Sequence, residues 1–142
     1  MFVDASAIVA VIDREAGWPE IAKRLSDVQG ACFVSPLMRF EAATAVARAA
    51  ATAGGAVARP TPEILAAARE LVDDLVAEIG AREIDISGAI GDAALDAATT
   101  YGKAVGHPAD LDFGDCFAYA CAKACGVGLL YKGDDFARTD LA

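Results

Sequence analysis

Acidic residues at Asp4, Glu41, Asp115 and the adjacent pair Asp134 and Asp135 each stand beside apolar sequence, in FVDASAIVAVI, FEAATAV, LDFGDCFAYA and LLYKGDDFA. A carboxylate next to a core element is costly unless it is paired, hydrogen-bonded or bound to a cation. Brought together, such groups repel by about 4 kcal/mol for unit charges ~4 Å apart at an effective dielectric of about 20. A divalent ion is the simplest neutraliser. Oxygen ligands without histidine or cysteine select hard cations, Mg²⁺ or Mn²⁺ with some waters left in place, and that combination suits phosphate chemistry. The single histidine, His107, lies in a loop and reads as a surface residue, which leaves no two-histidine zinc site and no histidine acid–base relay. Cys32, Cys116, Cys121 and Cys125 contain no CxxC pair and read as small packing groups rather than zinc ligands, disulfides or nucleophiles.

Positioning these acids falls to a chain in which strands and helices alternate. FVDAS opens as a short apolar strand that hands over to a helix at Asp4, with Ser6 near the helix start and suited to capping it. A second helix runs from Trp18 to Asp27, where Ile21, Leu25 and Val28 recur at helical spacing, and Ala31 to Ser35 forms a second buried strand. Leu37 to Ala51 is helical, with Phe40, Ala43, Thr44, Ala47 and Ala50 on one side and Gly54 and Gly55 ending it. Thr61 as N-cap, Pro62 at the first helical position and Glu63 in the first turn start a fourth helix. Arg82 to Ile86 reads as a strand, Ser87 caps the next helix, and Gly102 stops it. The loop KAVGHPADLD then leads into a helix from Phe113 to Cys125, and Gly128 to Lys132 is the last strand. Short apolar strands between helices predict an α/β fold with a central, mainly parallel sheet flanked by helices, in a single domain over residues 1–142. Ligands of such sheets sit beyond the carboxyl ends of the strands, the side on which Asp4 and the other acids fall.

Composition sets outer limits. At 142 residues, 56% hydrophobic and 23% charged, the chain has material for a real core. No stretch approaches the roughly 18 apolar residues of a membrane helix. The opening carries an aspartate and no cationic leader, so a cytoplasmic location is expected. Net charge is −9, with 21 acidic against 12 basic residues, the wrong sign for holding nucleic acid by general attraction. A nucleic-acid role then requires a cation-binding cluster within the acidic excess, a rim of gathered basic residues, or a basic partner over the acidic surface.

VDASAIVAVI, FEAATAV, LDFGDCFAYACAKACG and LLYKGDDFARTDLA, in that order and spanning nearly the whole chain, resemble the successive acidic blocks of the PIN-domain family, in particular its VapC-type toxins. A lone DxS is weak, whereas GDCFAYACAK combined with KGDDFxxTD is specific. The resemblance implies a three-layer α/β sandwich and an endoribonuclease that uses Mg²⁺ or Mn²⁺. It also implies a homodimer, partnered by a small VapB-type antitoxin that binds operator DNA and blocks the site. Carried over by position, Asp4, Glu41 and Asp115 match the metal-binding acids, and Asp135 the fourth, with Asp134 as the alternative; Ser6 matches a hydroxyl that hydrogen-bonds the carboxylates. The segment YGKAVGHPADLDFGD departs from the pattern, since relatives often carry more cations there and a neutral residue in place of Asp112. That shifts the grip on RNA towards Arg39, Arg48, Lys103, Lys123 and Lys132, each of which also reads as a solvated surface cation.

The resemblance further implies hydrolysis leaving a 5′-phosphate and a 3′-hydroxyl. An antitoxin tail is expected to set an Arg or Lys against the acids, and Phe40, Val46 and the alanine-rich helices to offer apolar partner faces. Two other classes compete. An aspartyl phosphatase would use Asp4 as nucleophile, but the chain lacks the usual DxD pairing. A non-catalytic interaction module gives no reason to gather carboxylates.

Overall fold

All but one of the described α-helices begin at a side-chain cap. In the computed structural model, which describes residues 1–53 and 59–141, Asp4, Ser35, Thr61, Ser87 and Asp112 each accept a backbone N–H from the first turn they precede. These caps open α1 (Ala5–Ile12), α3 (Pro36–Thr52), α4 (Pro62–Glu78), α5 (Gly88–Tyr101) and α6 (Phe113–Cys125). Only α2 (Trp18–Asp27) starts without one, after Gly17 at φ 86°. Asp4 rather than Ser6 is the cap of α1, because the chain is still extended at Asp4 and already helical at Ser6.

Two of these caps cut strands short. β1 (Phe2–Val3), β2 (Phe33–Val34), β3 (Arg82–Glu83) and β4 (Leu129–Leu130) are narrower than the apolar runs predict. Asp4 and Ser35 turn the backbone into helices directly after β1 and β2. All pairings are parallel in the order β3-β2-β1-β4, with Phe2 opposite both Phe33 and Leu129. Connections run one way from β1 through β2 to β3, and β4 returns on the other side of β1. The end of β1 is therefore the switch point of the sheet, where ligand crevices form.

Helices flank the sheet, as expected. α1 packs on α2, α3 and α4, α3 packs on α4, α5 packs on α6, and α6 lies against β1 and β4 and meets α3. Phe2, Ile8, Leu25, Met38, Leu111, Leu130 and Phe136 are fully enclosed, each side chain contributing about 1.5–3 kcal/mol by leaving water. The buried stripe of α3 is Met38, Ala42, Ala43, Val46 and Ala47; Phe40 is 67% exposed and Ala50 is exposed. An alanine-rich helix marks its inner face weakly, so the expected stripe through Phe40 and Ala50 is off by about one position. Val46 is core rather than partner surface. The stop at Gly54 and Gly55 lies outside the described residues. Gly102 does end α5: a Cβ there would collide with the carbonyl oxygen of Ala98. It also pairs with Leu111, closing the loop that delivers α6.

Candidate active site

Four segments bring acids to the carboxyl edge of β1. Asp4 follows β1, and its N–H donates to the Leu130 carbonyl of β4 at 2.9 Å, so both strands fix its backbone. Its side chain is 5% exposed and accepts from the Ser6 N–H at 2.8 Å and from the Ser6 hydroxyl. Ser6 Oγ in turn accepts the Lys132 N–H at 3.0 Å, which ties the segment after β4 to the same point. The serine thus orients the aspartate.

Glu41 comes from the second turn of α3, which begins directly after β2. Asp115 sits in the first turn of α6 within a reciprocal capping box: Asp112 Oδ1 accepts the Asp115 N–H at 3.1 Å, and Asp115 Oδ2 accepts the Asp112 N–H at 2.9 Å.

The electrostatics are one-sided. Burial pushes the Glu41 carboxyl up to about 7, with the charges of Asp4 and Asp112 adding to it. Asp115 is also pushed up to about 7, chiefly by burial; the Asp112 N–H opposes this, and the charges of Asp112, Asp4 and Asp135 reinforce it. For Asp4 burial raises the carboxyl against the Ser6 hydrogen bonds, and Asp112 again acts in the raising direction. Every cause linking these side chains is repulsion between carboxylates. Of the last pair, Asp135 is the one whose charge reaches Asp115. Asp134 precedes the 3₁₀ turn Asp135–Arg138 without capping it.

Asp112 is the residue that the sequence reading undervalued. It entered there only as a departure in a loop, yet its charge acts on Asp4, Glu41 and Asp115 together. Its signal was the spacing to Asp115, the N-cap-to-N3 interval of a capping box.

The cations are mostly spoken for. Arg39 bridges Asp73 at 2.5 Å and Glu83, Lys132 holds Glu15 at 2.5 Å, Lys123 holds Asp140 at 2.8 Å, and Lys103 stands 3.6 Å from Asp110. Arg48 is exposed and lines a cleft of about 440 Å³ with Ser6, Glu15, Phe40, Glu41 and Thr44. His107 accepts the Ala109 N–H on Nδ1 at 3.0 Å and packs edge-on to Tyr101, a loop-fastening role. The cysteines are free, and burial raises each thiol, most strongly Cys121, to about 11. That keeps them as packing groups.

As the side chains stand, no group of three His, Cys, Asp or Glu among the described residues is drawn together enough to hold an ion. The donor set itself fits a hard divalent ion: carboxylate oxygens, with no imidazole or reactive thiol among them.

A sheet with one switch point and acids from separate segments aimed at it narrows the choice of fold family, and the sequence settles it. Residues 1–141 match the profile of the PIN domain. The chain belongs to the PIN-domain family. This PIN domain is 50% identical over 142 residues to a VapC ribonuclease of Rhizobium meliloti, covering 99% of this chain and 98% of that protein. It is 35% identical over 141 residues to ribonuclease VapC42 of Mycobacterium tuberculosis, covering 99% and 96%. Among solved structures it resembles VapC20 of Mycobacterium tuberculosis, described as a toxin cleaving the sarcin–ricin loop. The TM-score is 0.65 at 16% identity, over 96% of this chain and 92% of that one, a likeness of fold.

Proposed function

We propose that this PIN domain is the toxin of a toxin–antitoxin pair, an endoribonuclease that works with Mg²⁺ or Mn²⁺ in the cytoplasm. The observation that carries the reading is the gathering of Asp4, Glu41 and Asp115 at the end of β1, each carboxyl raised by burial and by its acidic neighbours. A structural role gives no reason for that arrangement, whereas a cation opposite a phosphodiester does. Near-full-length identity to VapC ribonucleases supports it.

In this reading Asp4, Glu41, Asp115 and Asp135 hold the ion, with Asp134 as the alternative to Asp135. When bound, the ion supplies Lewis acidity to the attacking water and neutralises charge on the phosphoryl oxygens. The Ser6 hydroxyl holds Asp4, and the Asp112 N–H of the capping box holds the Asp115 carboxylate through Oδ2. Glu41 is the carboxylate of the set proposed to take the proton of the attacking water. The products carry a 5′-phosphate and a 3′-hydroxyl. Arg48, in the cleft beside Glu41, is the cation best placed to meet RNA.

Two apolar surfaces support partners. Between α3 and α4 a groove of about 790 Å³ carries Phe40, Leu65 and Arg69, with Phe40 67% and Leu65 41% exposed. It suits a helix of a VapB-type antitoxin, whose Arg or Lys reaches the acids and whose other end binds operator DNA. A second copy fits the face of α5 and α6, where Leu95 is 68% and Phe113 66% exposed. No described helix is long and apolar enough to cross a membrane.

The deciding experiment is cleavage of total RNA by wild type, Asp4→Asn and Asp115→Asn with Mg²⁺, Mn²⁺ or EDTA. Cleavage by wild type that EDTA and either substitution abolish is expected. Cleavage surviving both in a folded protein overturns the site assignment, and a trapped phosphoaspartate on Asp4 would point to a phosphatase.

A further inference from the structure

Gly114 lies in the first turn of α6, one residue before Asp115, in a helical stretch where glycine is a poor choice of residue. Its backbone is not in the left-handed region, so conformation does not demand glycine. Space does. A Cβ on Gly114 would lie 2.5 Å from Glu41 Oε2 and 2.7 Å from Glu41 Cδ, and closer still to Oε1. The helical glycines of α5 differ: a Cβ on Gly88 or Gly91 meets nothing within 4 Å.

We propose that Gly114 is a positioning residue, whose missing side chain is the seat in which the Glu41 carboxylate rests against α6. The contact is one of the points where α3 and α6 meet. α3 follows β2 directly, α6 follows the loop after α5, and each carries one acid of the site. Seating Glu41 against the residue before Asp115 fixes the separation of the two carboxylates across the place where the ion binds. Because Glu41 is the flexible end of a side chain, an added methyl displaces it cheaply. The protein stays folded, and the carboxylate leaves the site. This inference rests on the cation-site reading above for its consequence, but the contact itself does not depend on a metal.

The test compares wild type, Gly114→Ala, Glu41→Ala, the double variant and Gly88→Ala. MnCl₂ affinity is measured by calorimetry, RNA cleavage by gel, and melting temperature is measured in the metal-free protein. Gly114→Ala is expected to fold and to weaken Mn²⁺ binding and cleavage by roughly 10–100-fold, the range for groups that orient metal ligands. In the Glu41→Ala background the same change costs no further affinity, the non-additivity of residues that act through one contact. There it raises the melting temperature by about 2–3 °C, alanine being the better helix former, with a smaller rise or a fall in wild type. Gly88→Ala leaves binding and cleavage unchanged.

Equal Mn²⁺ affinity in Gly114→Ala and wild type overturns the proposal, as does an equal loss in both Glu41 backgrounds. Should Gly114→Ala fail to fold, folding of the double variant supports the contact, and its unfolding overturns it. Wild type that neither binds Mn²⁺ nor cleaves RNA sinks the cation-site reading instead. The melting-temperature coupling between positions 41 and 114 then still decides whether the glycine seats the carboxylate.

Discussion

Two residues apart on α3, Arg39 and Glu41 enter opposite electrostatic settings. Arg39 joins Asp73 of α4 and Glu83 of β3, so a cation of the chain stands among its carboxylates. Those bonds hold the guanidinium protonated, Glu83 more strongly than Asp73. Glu41 makes no ion pair among the described residues; burial raises its carboxyl first, and the charges of Asp4 and Asp112 add to the rise. Acidic clustering alone therefore says little about function. What separates the regions is whether the chain neutralises its own charge. At Arg39 it does, and the cluster fastens α3 to α4 and to the sheet edge. At the end of β1 it does not, and the imbalance leaves room for an external ion or a basic partner.

Breaking the unbalanced region should have the largest effect. Asp4→Asn or Asp115→Asn is expected to lower RNA cleavage and growth inhibition by more than the ~10–100-fold typical of orienting groups, with circular dichroism unchanged. Full activity in either variant would place these acids in the same class as Asp73 and Glu83. Ser6→Ala removes a hydroxyl that donates to Asp4 and accepts from Lys132. Cleavage should drop about tenfold and stability by about 1 kcal/mol, read by single-turnover kinetics and urea unfolding.

Acidity sharpens the contrast further. Glu41 and Asp115 rise to about 7 in the folded protein, while in the unfolded chain they titrate in the ordinary carboxylate range. Between those limits the native state binds more protons, so stability falls as pH rises from about 4 towards about 7. Metal-free protein should melt at a higher temperature at pH 5 than at pH 7.5. Glu41→Gln and Asp115→Asn should flatten the profile, and Mn²⁺ should restore stability at the higher pH. A metal-free profile that rises over this range would contradict the raised carboxyls of Glu41 and Asp115. The smallest effect is expected at the balanced cluster: Arg39→Ala should cost about 1 kcal/mol in urea unfolding, as a partly exposed ion-pair network does. Mn²⁺ affinity and cleavage should stay at wild-type levels.

Much of this layout was legible in the chain. The caps Thr61, Ser87 and their helices, the exact span of Trp18–Asp27, and the start of α6 at Phe113 follow from local chemistry that acts within a few residues. The family blocks around Asp4, Glu41 and Asp115 carried the resemblance that the whole-chain match bears out. Less legible was the inner face of α3, because alanines record neither face, and the shortness of the strands, because a buried strand and a buried helix turn share one apolar pattern. The pairing of Arg39 with residues 34 and 44 positions away had no local signal.

By itself, then, the sequence determined which residues begin helices, which acids stand at strand ends, and to which family the chain belongs, since each of these is a matter of residue type and short spacing. Tertiary structure decided which acids feel one another. Whether a carboxylate is neutralised depends on side chains brought from distant segments, and Arg39 and Glu41, two positions apart, are told apart only there. It also made Asp112 a member of the acidic group and gave Gly114 a neighbour. A residue that lacks a side chain has no chemistry to announce, and the space it leaves has meaning only once another helix fills it.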